Sequence, residues 1–408
     1  MTYYYFGGKP LIAFEEALRL LLESAHPIVR TETVPLERAS RRIVAEDVRA
    51  LQDIPSHPRS AMDGYAVRSQ DIQDAAPNKP VPLIVQGALF AGADPSVIRL
   101  EPNKAVRIAT GAPLPDGADT VIPFEEVVVE DHRILVSKPL PVGKNITEKG
   151  ADVTAGSVVL RGGADLSPAR LAVAAGLGRD RLQVYAKPRV AIVSSGEEIQ
   201  RPGEPLRPGQ VYDMNSFSLM GLVANHGGDP VLMPNAPDTE EGLTDALDCS
   251  ISECDVVVFS AGSSVGERDL MPKILNRRGE VLFQGGAHRP GRPTLAAVVN
   301  DRLVINLPGF PTSCLMVAYV LLVPVLRKIA RLPQWQPRSV PAILDQDVTS
   351  PNGLRQFLSV RLIGERATVA YKESTTITSL TEADGYIDIP AATTFLPAGE
   401  PVSVILFD

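Results

Sequence analysis

The sequence predicts a multidomain protein that joins a doubly wound α/β domain to β-rich modules, and three observations carry that expectation. Its 408 residues exceed what one hydrophobic core ordinarily serves, so about two to four domains are expected. From Lys187 to about Pro333, strand-like and helix-like stretches alternate, the pattern of a parallel sheet covered by helices on both faces. Before and after that stretch, short β-branched runs cut by Pro and Gly replace the alternation.

The first element is an amphipathic helix. From Phe14 to Ala25 the apolar residues Leu18, Leu21, Leu22 and Ala25 recur at helical spacing, and the pattern stops at His26-Pro27. Between about Arg30 and Val158, the runs VPLIVQGALF, AVRIAT, DTVIPFEEVVVE and HRILVSKPL read as short strands. Ser167-Pro168 before ARLAVAAGLG then predicts a second helix, with Ser167 as its N-cap, Pro168 at its first position and Gly176 or Gly178 as its stop. Residues 30–149 are therefore expected as a β-rich domain inserted between two helical segments, 1–29 and 150–183, that share one linking layer.

Next, PRVAIVSSG, NSFSLMGLVANHGG, DPVLMP, DTEEGLTDALDCSISEC, DVVVFSAG and RLVINLPG supply the strands and helices of an α/β domain over residues 184–333. The helix after Pro311 closes it. Its apolar run, Cys314 to Leu326, is about 13 residues and contains Pro324, short of the roughly 20 a membrane span needs, so a buried helix is expected. Over residues 334–408, AILDQDV, FLSVRLIG, ATVAYK and EPVSVILFD predict a small separate barrel or sheet.

Charge and cysteine content narrow the function. A net charge of -8 argues against a general nucleic-acid binder, which neutralises phosphates with basic stripes. Cys249, Cys254 and Cys314 are too few and too irregularly spaced for a disulfide framework or a zinc site, which fits a reducing cytoplasm. The opening MTYYYFGGKPLIAFEE lacks a basic segment followed by an apolar one, so neither a secretory signal nor a membrane partner is expected.

Four stretches could carry chemistry. SAMDGYAV, with Asp63, is followed by IATGAPLP, with Thr110; by spacing these are turns at strand ends whose acidic and hydroxyl side chains bind local backbone. Ser194-Ser195-Gly196-Glu197-Glu198 follows a buried strand, so its glycine can turn amides to an anion and its carboxylates suit a hard cation. SAGSSVGERD follows another strand, and its small residues Gly262, Ser263, Ser264 and Gly266 leave amides and hydroxyls for phosphate at a helix N-terminus; it lacks the Gly-Lys-Ser/Thr ending of a Walker loop. In HRPGRPT, a Pro-Gly-Pro frame holds Arg289 and Arg292 as permanently charged forks for an oxyanion, with LPGFPTS shortly after.

Taken in order, these strings resemble the MoeA family of molybdopterin molybdenumtransferases, the group that includes the C-terminal part of gephyrin and the plant molybdenum insertase domain. The likeness covers SAMDGYAV, ATGAPLPDGADTVIPFEE, GKNITEKGADVTAG, PRVAIVSSGEEI, GQVYDMNS, SAGSSVGERD, RPGRP, LPGFPTS, LTEADGYIDIP and AGEPV, nearly end to end. It implies a MogA-like molybdopterin-binding α/β domain, a helical linker layer, the inserted β domain and a C-terminal β-barrel-like domain, in a homodimer whose cleft is shared between subunits. It also implies molybdate insertion into adenylylated molybdopterin with release of AMP, in the cytoplasm, downstream of a MogA-like adenylyltransferase, with Mg2+ as cofactor. The alternative is a divergent paralogue that inserts tungstate or carries finished cofactor without catalysis.

Carried over by motif, the catalytic residues fall on Asp63, Thr110, Glu198, Asp238 and Asp269, with Glu198, Asp238 and Asp269 as metal ligands. Ser195, Gly196, Gly262, Ser263, Ser264, Gly266, Arg289, Arg292, Pro308 and Pro311 are the expected binding residues. Asp238 with Glu241 also reads as an N-cap and capping box. Several positions leave the family pattern: its Lys-Pro-Gly-Lys-Pro is Arg-Pro-Gly-Arg-Pro here, its Leu-Pro-Gly-Asn-Pro places Phe310 at the Asn, and the preceding Gly is Asn306. In addition Ala261 precedes Gly262, and Thr147 and Ala151 replace an Arg and a Glu.

Overall fold

A computed structural model describes residues 5–6, 9–261, 270–370, 372, 376 and 378–407. The chain folds as two units, Met1–Val34 with Arg41–Ala45 and Gln183–Asp408, and Pro35–Ser40 with Glu46–Leu182.

The smaller unit is built on a six-stranded sheet whose order is Val127–Glu130, Arg133–Val136, Val81–Leu89, Lys104–Ile108, Gly64–Val67 and Thr120–Pro123. Each face carries its own core, because side chains alternate across a strand. Tyr65, Leu83, Ala105, Ile122 and Ile134 fill one, and Ala66, Leu89, Val106, Ile108 and Val121 the other. Gly64–Val67, which the string SAMDGYAV suggests as a turn, is a strand between two neighbours. It approaches so closely that a Cβ on Gly64 would lie 2.0 Å from the Ile122 carbonyl oxygen. The helix Pro168–Gly176 belongs to this unit and starts as predicted, with the Ser167 hydroxyl accepting from the Arg170 amide at 3.4 Å.

In the larger unit, a second six-stranded sheet runs in the order Asp229–Leu232, Arg189–Ser194, Val256–Ala261, Arg302–Pro308, Leu295–Val299 and Glu280–Gln284. The first four strands are parallel, and Leu295–Val299 is antiparallel to both its neighbours. The sheet is thus mixed. Its antiparallel hairpin turns at Asn300-Asp301, both with positive φ, the conformation Asn and Asp tolerate best among residues with a side chain.

Helices cover both faces. Val190, Ile192, Val258, Ile305 and Leu307 meet the helix Asn215–Asn225 and a helical rod from Pro311 to Ile329, while Ala191, Val193, Val257, Phe259 and Val304 meet Leu243, Leu247, Ile274 and Leu275 of the opposite layer. Burial on both faces explains why these strands are continuous apolar runs. The rod is long and apolar enough to cross a membrane by length and composition, yet 72% of its apolar window is buried inside the protein. It is the core helix expected from the sequence, with a π turn at Ala318–Leu322 just ahead of Pro324. The N-terminal helix Phe14–Ser24 buries Phe14, Ala17 and Leu21 in this same core.

The C-terminal segment closes on itself. Ser339–Leu344, Arg366–Val369, Arg355–Ile363, Gly385–Ile389 and Pro401–Leu406 pair in a ring, which makes a five-stranded barrel around Leu344, Leu358, Val360, Ala367, Ile387 and Val404. Residues His288–Arg289 add a short parallel strand to Arg355–Gln356.

Candidate functional site

Two groups of predicted residues lie at strand ends, one in each unit. In the smaller unit, the antiparallel pairing of Gly64 with Ile108 brings the residue before one strand beside the turn after the other. Asp63 Oδ1 consequently accepts from the Thr110 amide at 2.7 Å and from the Thr110 hydroxyl at 3.0 Å. These bonds, with Arg107 nearby, hold the exposed Asp63 carboxyl below its ordinary range, because donors favour its charged form. Gly111 donates to the Ser60 carbonyl at 2.8 Å and Ala61 to the Asn145 carbonyl at 2.9 Å, so the SAMDGYAV, ATGAP and GKNIT strings meet in one place.

In the larger unit, the carboxyl ends of the parallel strands open onto a cavity of about 500 Å3. Ser194, Ser195 and Glu198 come from the loop after Arg189–Ser194, Ser260 from Val256–Ala261, and Gly309, Phe310 and Pro311 from the loop after Arg302–Pro308. The Gly196 backbone has φ +138, and a Cβ there would strike the Glu198 carboxylate at 2.5 Å. Glycine therefore serves here to let that carboxylate fold over the backbone. Asn235 pins the loop by donating to the Gly196 carbonyl at 2.9 Å.

The fourth wall is Tyr212, Asp213 and Asn215, which sequence reasoning quoted within GQVYDMNS without giving them a role. Asp213 accepts from the Ser216 amide at 3.0 Å and so caps the helix Asn215–Asn225. Buried Asn215 donates to the Ser260 hydroxyl at 2.6 Å and the Gly309 carbonyl at 2.7 Å, tying three cavity loops together. An Asp and an Asn at the start of a helix, directly after a strand, were the available signal. Cys314 packs below, its thiol pushed up to about 12 by complete burial, so it stays protonated.

Ser195, Glu198 and Pro311 thus line one cavity, Gly196 shapes it, and Pro308 ends the adjoining strand. Asp238 does not line it. Nor is Asp238 a helix cap: Thr239 takes that place, its hydroxyl accepting from Gly242 at 3.0 Å, and the Asp238 side chain makes no hydrogen bond among the described residues. Gly262, Ser263, Ser264, Gly266 and Asp269 lie outside the described residues.

Arg289 and Arg292 are both exposed and stand apart from the cavity lining. Their loop is rigid: His288 Nδ1 donates to the Pro290 carbonyl at 2.8 Å, Thr294 to the Gly291 carbonyl at 2.7 Å, and a Cβ on Gly291 would meet Val317 at 2.0 Å. Burial drives the His288 pKa down to about 4, so the ring is neutral at pH 7.

Among the described residues, no group of three or more His, Cys, Asp or Glu is placed to hold a metal. Glu198 and Asp213 nonetheless put two carboxylates in one cavity beside serine hydroxyls, and no Lys or Arg of the described residues lines it. Magnesium fits such a donor set, since it takes one or two carboxylates together with substrate phosphates.

Comparisons with known proteins agree with this arrangement. Residues 12–178 match the MoeA N-terminal region (domain I and II), residues 191–328 a probable molybdopterin binding domain, and residues 341–407 the MoeA C-terminal region (domain IV). The chain is 34% identical over 405 residues to a molybdopterin molybdenumtransferase of Synechococcus elongatus, covering 97% of this chain and 99% of that protein. It is also 34% identical to molybdopterin molybdenumtransferase 2 of Mycobacterium tuberculosis, covering 94% and 96%. A solved molybdopterin biosynthesis MoeA protein from Pyrococcus horikosii superposes with a TM-score of 0.85 at 36% identity, covering 98% and 99%. With all three family regions present in order over nearly its whole length, this chain belongs to the MoeA family.

Proposed function

We propose that the chain is a molybdopterin molybdenumtransferase that consumes adenylylated molybdopterin and molybdate, releases AMP and leaves molybdenum on the dithiolene. The observation that carries this reading is the cavity at the carboxyl ends of the parallel strands, lined by Glu198 and Asp213 within a region that matches a probable molybdopterin binding domain. Overall, the phosphoanhydride to AMP breaks with uptake of one water. The dithiol forms two Mo–S bonds, and one molybdate oxygen leaves as water with the two thiol protons.

The protein's own part is binding and positioning. Ser194, Ser195 and Ser260 offer hydroxyls, and Asn215 fixes the loops that carry them. Glu198 and Asp213 would hold a magnesium ion, which when bound neutralises phosphate charge and polarises the anhydride. Arg289 and Arg292, exposed on a stiff loop, are the groups we assign to oxyanion capture. Asp63 with Thr110 joins the catalytic set by its place in the family motif, and the protein is a homodimer in this reading.

The test is metal retention. Purified protein incubated with adenylylated molybdopterin, magnesium and molybdate, then desalted, should hold stoichiometric molybdenum that is released together with the pterin. Bound pterin without molybdenum would refute the insertase reading and leave a cofactor carrier.

A further inference from the structure

Phe310 lines the cavity at the position where the family pattern has Asn, so a ring without hydrogen-bonding atoms stands in place of an amide. It is 54% exposed. Among the described residues it packs against no other aromatic ring and no guanidinium, whereas Phe14, Phe124, Phe357 and Phe407 each meet at least one. The face of the ring is therefore open.

Its backbone, by contrast, is held on both sides. The Gly309 carbonyl accepts from Asn215 at 2.7 Å, the Phe310 carbonyl accepts from the Cys314 amide at 2.8 Å, and Pro311 begins the helical rod directly after it. An open ring on a fixed base has only two side-chain torsions to lose when a ligand binds. Tyr212, the other aromatic residue of the lining, is also exposed, but its hydroxyl donates to the Glu204 carbonyl at 2.9 Å and ties down its own loop. Phe310 has no polar atom for such a tie; what its face can gain is contact with something flat. Val211 and Met214, both exposed, line the same cavity, so a flat ring entering it also frees water from apolar surface.

We infer that Phe310 is a binding residue particular to this chain, whose face stacks on a heteroaromatic ring of the substrate, where an amide could offer only hydrogen bonds. This deepens the insertase reading and rests on it. Stacking is indifferent to the edge atoms of the ring, so the pterin and the adenine share the chemistry that Phe310 recognises, and binding measurements on each tell them apart.

The full chain is titrated calorimetrically with unadenylylated molybdopterin and, separately, with AMP. Phe310→Leu and Phe310→Asn should weaken binding of one of the two by about tenfold or more, while Phe310→Tyr, which keeps the ring, stays within about twofold of the wild type. In turnover of adenylylated molybdopterin, KM should rise in Phe310→Leu with little change in kcat, the mark of an interaction made equally before and during reaction. The side chain is exposed, so the variants should fold with an unchanged melting temperature. Weaker molybdopterin binding assigns the pterin to Phe310, and weaker AMP binding assigns the adenine. Wild-type affinity for both ligands in Phe310→Leu overturns the inference, as does a Phe310→Tyr chain as weak as Phe310→Leu. A wild-type chain that binds neither ligand overturns the insertase reading itself, and this inference with it.

Discussion

Asp63 and Glu198 both sit at strand ends, yet the two units treat them differently. In the β-rich unit, Asp63 is closed on Thr110 by two hydrogen bonds, so its carboxylate is fixed and charged before any ligand arrives. In the α/β unit, Glu198 lines a cavity and its carboxylate takes no hydrogen bond from the described residues. A carboxylate satisfied by its own chain makes a stable strand end, whereas one left open at the end of a buried parallel sheet is available to a ligand or a cation. In the function proposed above, the cavity carboxylates therefore act on the ligand directly, and Asp63 contributes to the catalytic set through a geometry fixed in advance.

The largest expected effect is on turnover. Glu198→Ala or Asp213→Ala should lower AMP release by about 10³-fold, about 4 kcal/mol of transition-state stabilisation, with an unchanged melting temperature for Glu198→Ala. If Asp63→Ala instead cost more than Glu198→Ala in the same assay, the ranking of the two sites would be reversed. Next comes Gly64→Ala, which places a Cβ against the Ile122 carbonyl oxygen at 2.0 Å and should destabilise the β-rich unit by about 3 kcal/mol in denaturant melts.

His288 gives a smaller effect with a defined sign. It is fully buried, with a folded pKa lowered from 6.5 to about 4. The unfolded chain therefore takes up a proton first as pH falls, and stability is lost between about pH 6.5 and pH 4, by about 3.4 kcal/mol at most. His288→Asn, which keeps a donor for the Pro290 carbonyl and removes the titration, should flatten that part of the pH–stability curve; an identical slope in the variant would show that other groups set it. Smallest is Phe310→Asn: the ring is 54% exposed at the cavity, so stability should change by less than about 0.5 kcal/mol, and any larger loss would mean the ring is structural.

Long patterns were legible before the structure. Val190 to Val193 and Val256 to Phe259 are buried on both faces, so continuous apolar runs marked them as central parallel strands, and Ser167-Pro168 marked a helix start correctly. Features set by tertiary pairing were harder. Leu295–Val299 is as apolar as its neighbours, and only the positive-φ Asn300-Asp301 turn shows that it folds back antiparallel. Gly385–Ile389 closes the barrel although it is not among the four stretches that predict strands there, because two partner strands supply its pairing. At the site, Asp238, expected as a catalytic and metal-ligating acid or else as a cap, is absent from the cavity lining and Thr239 does the capping, while Asp213 and Asn215 carried no role until the fold brought their loop to Ser260 and Gly309. Spacing along a chain identifies strand ends; which of those ends share a cavity is a property of the sheet order.

The most direct test is AMP release from adenylylated molybdopterin by the full chain with magnesium, with and without molybdate, in the wild type and in Glu198→Ala. If the carboxylates of the α/β cavity perform the chemistry, with Glu198 open to the ligand, molybdate stimulates release in the wild type and the variant loses that release while still binding substrate. Equal release by Glu198→Ala, or tight binding by the wild type with no release at all, would contradict it.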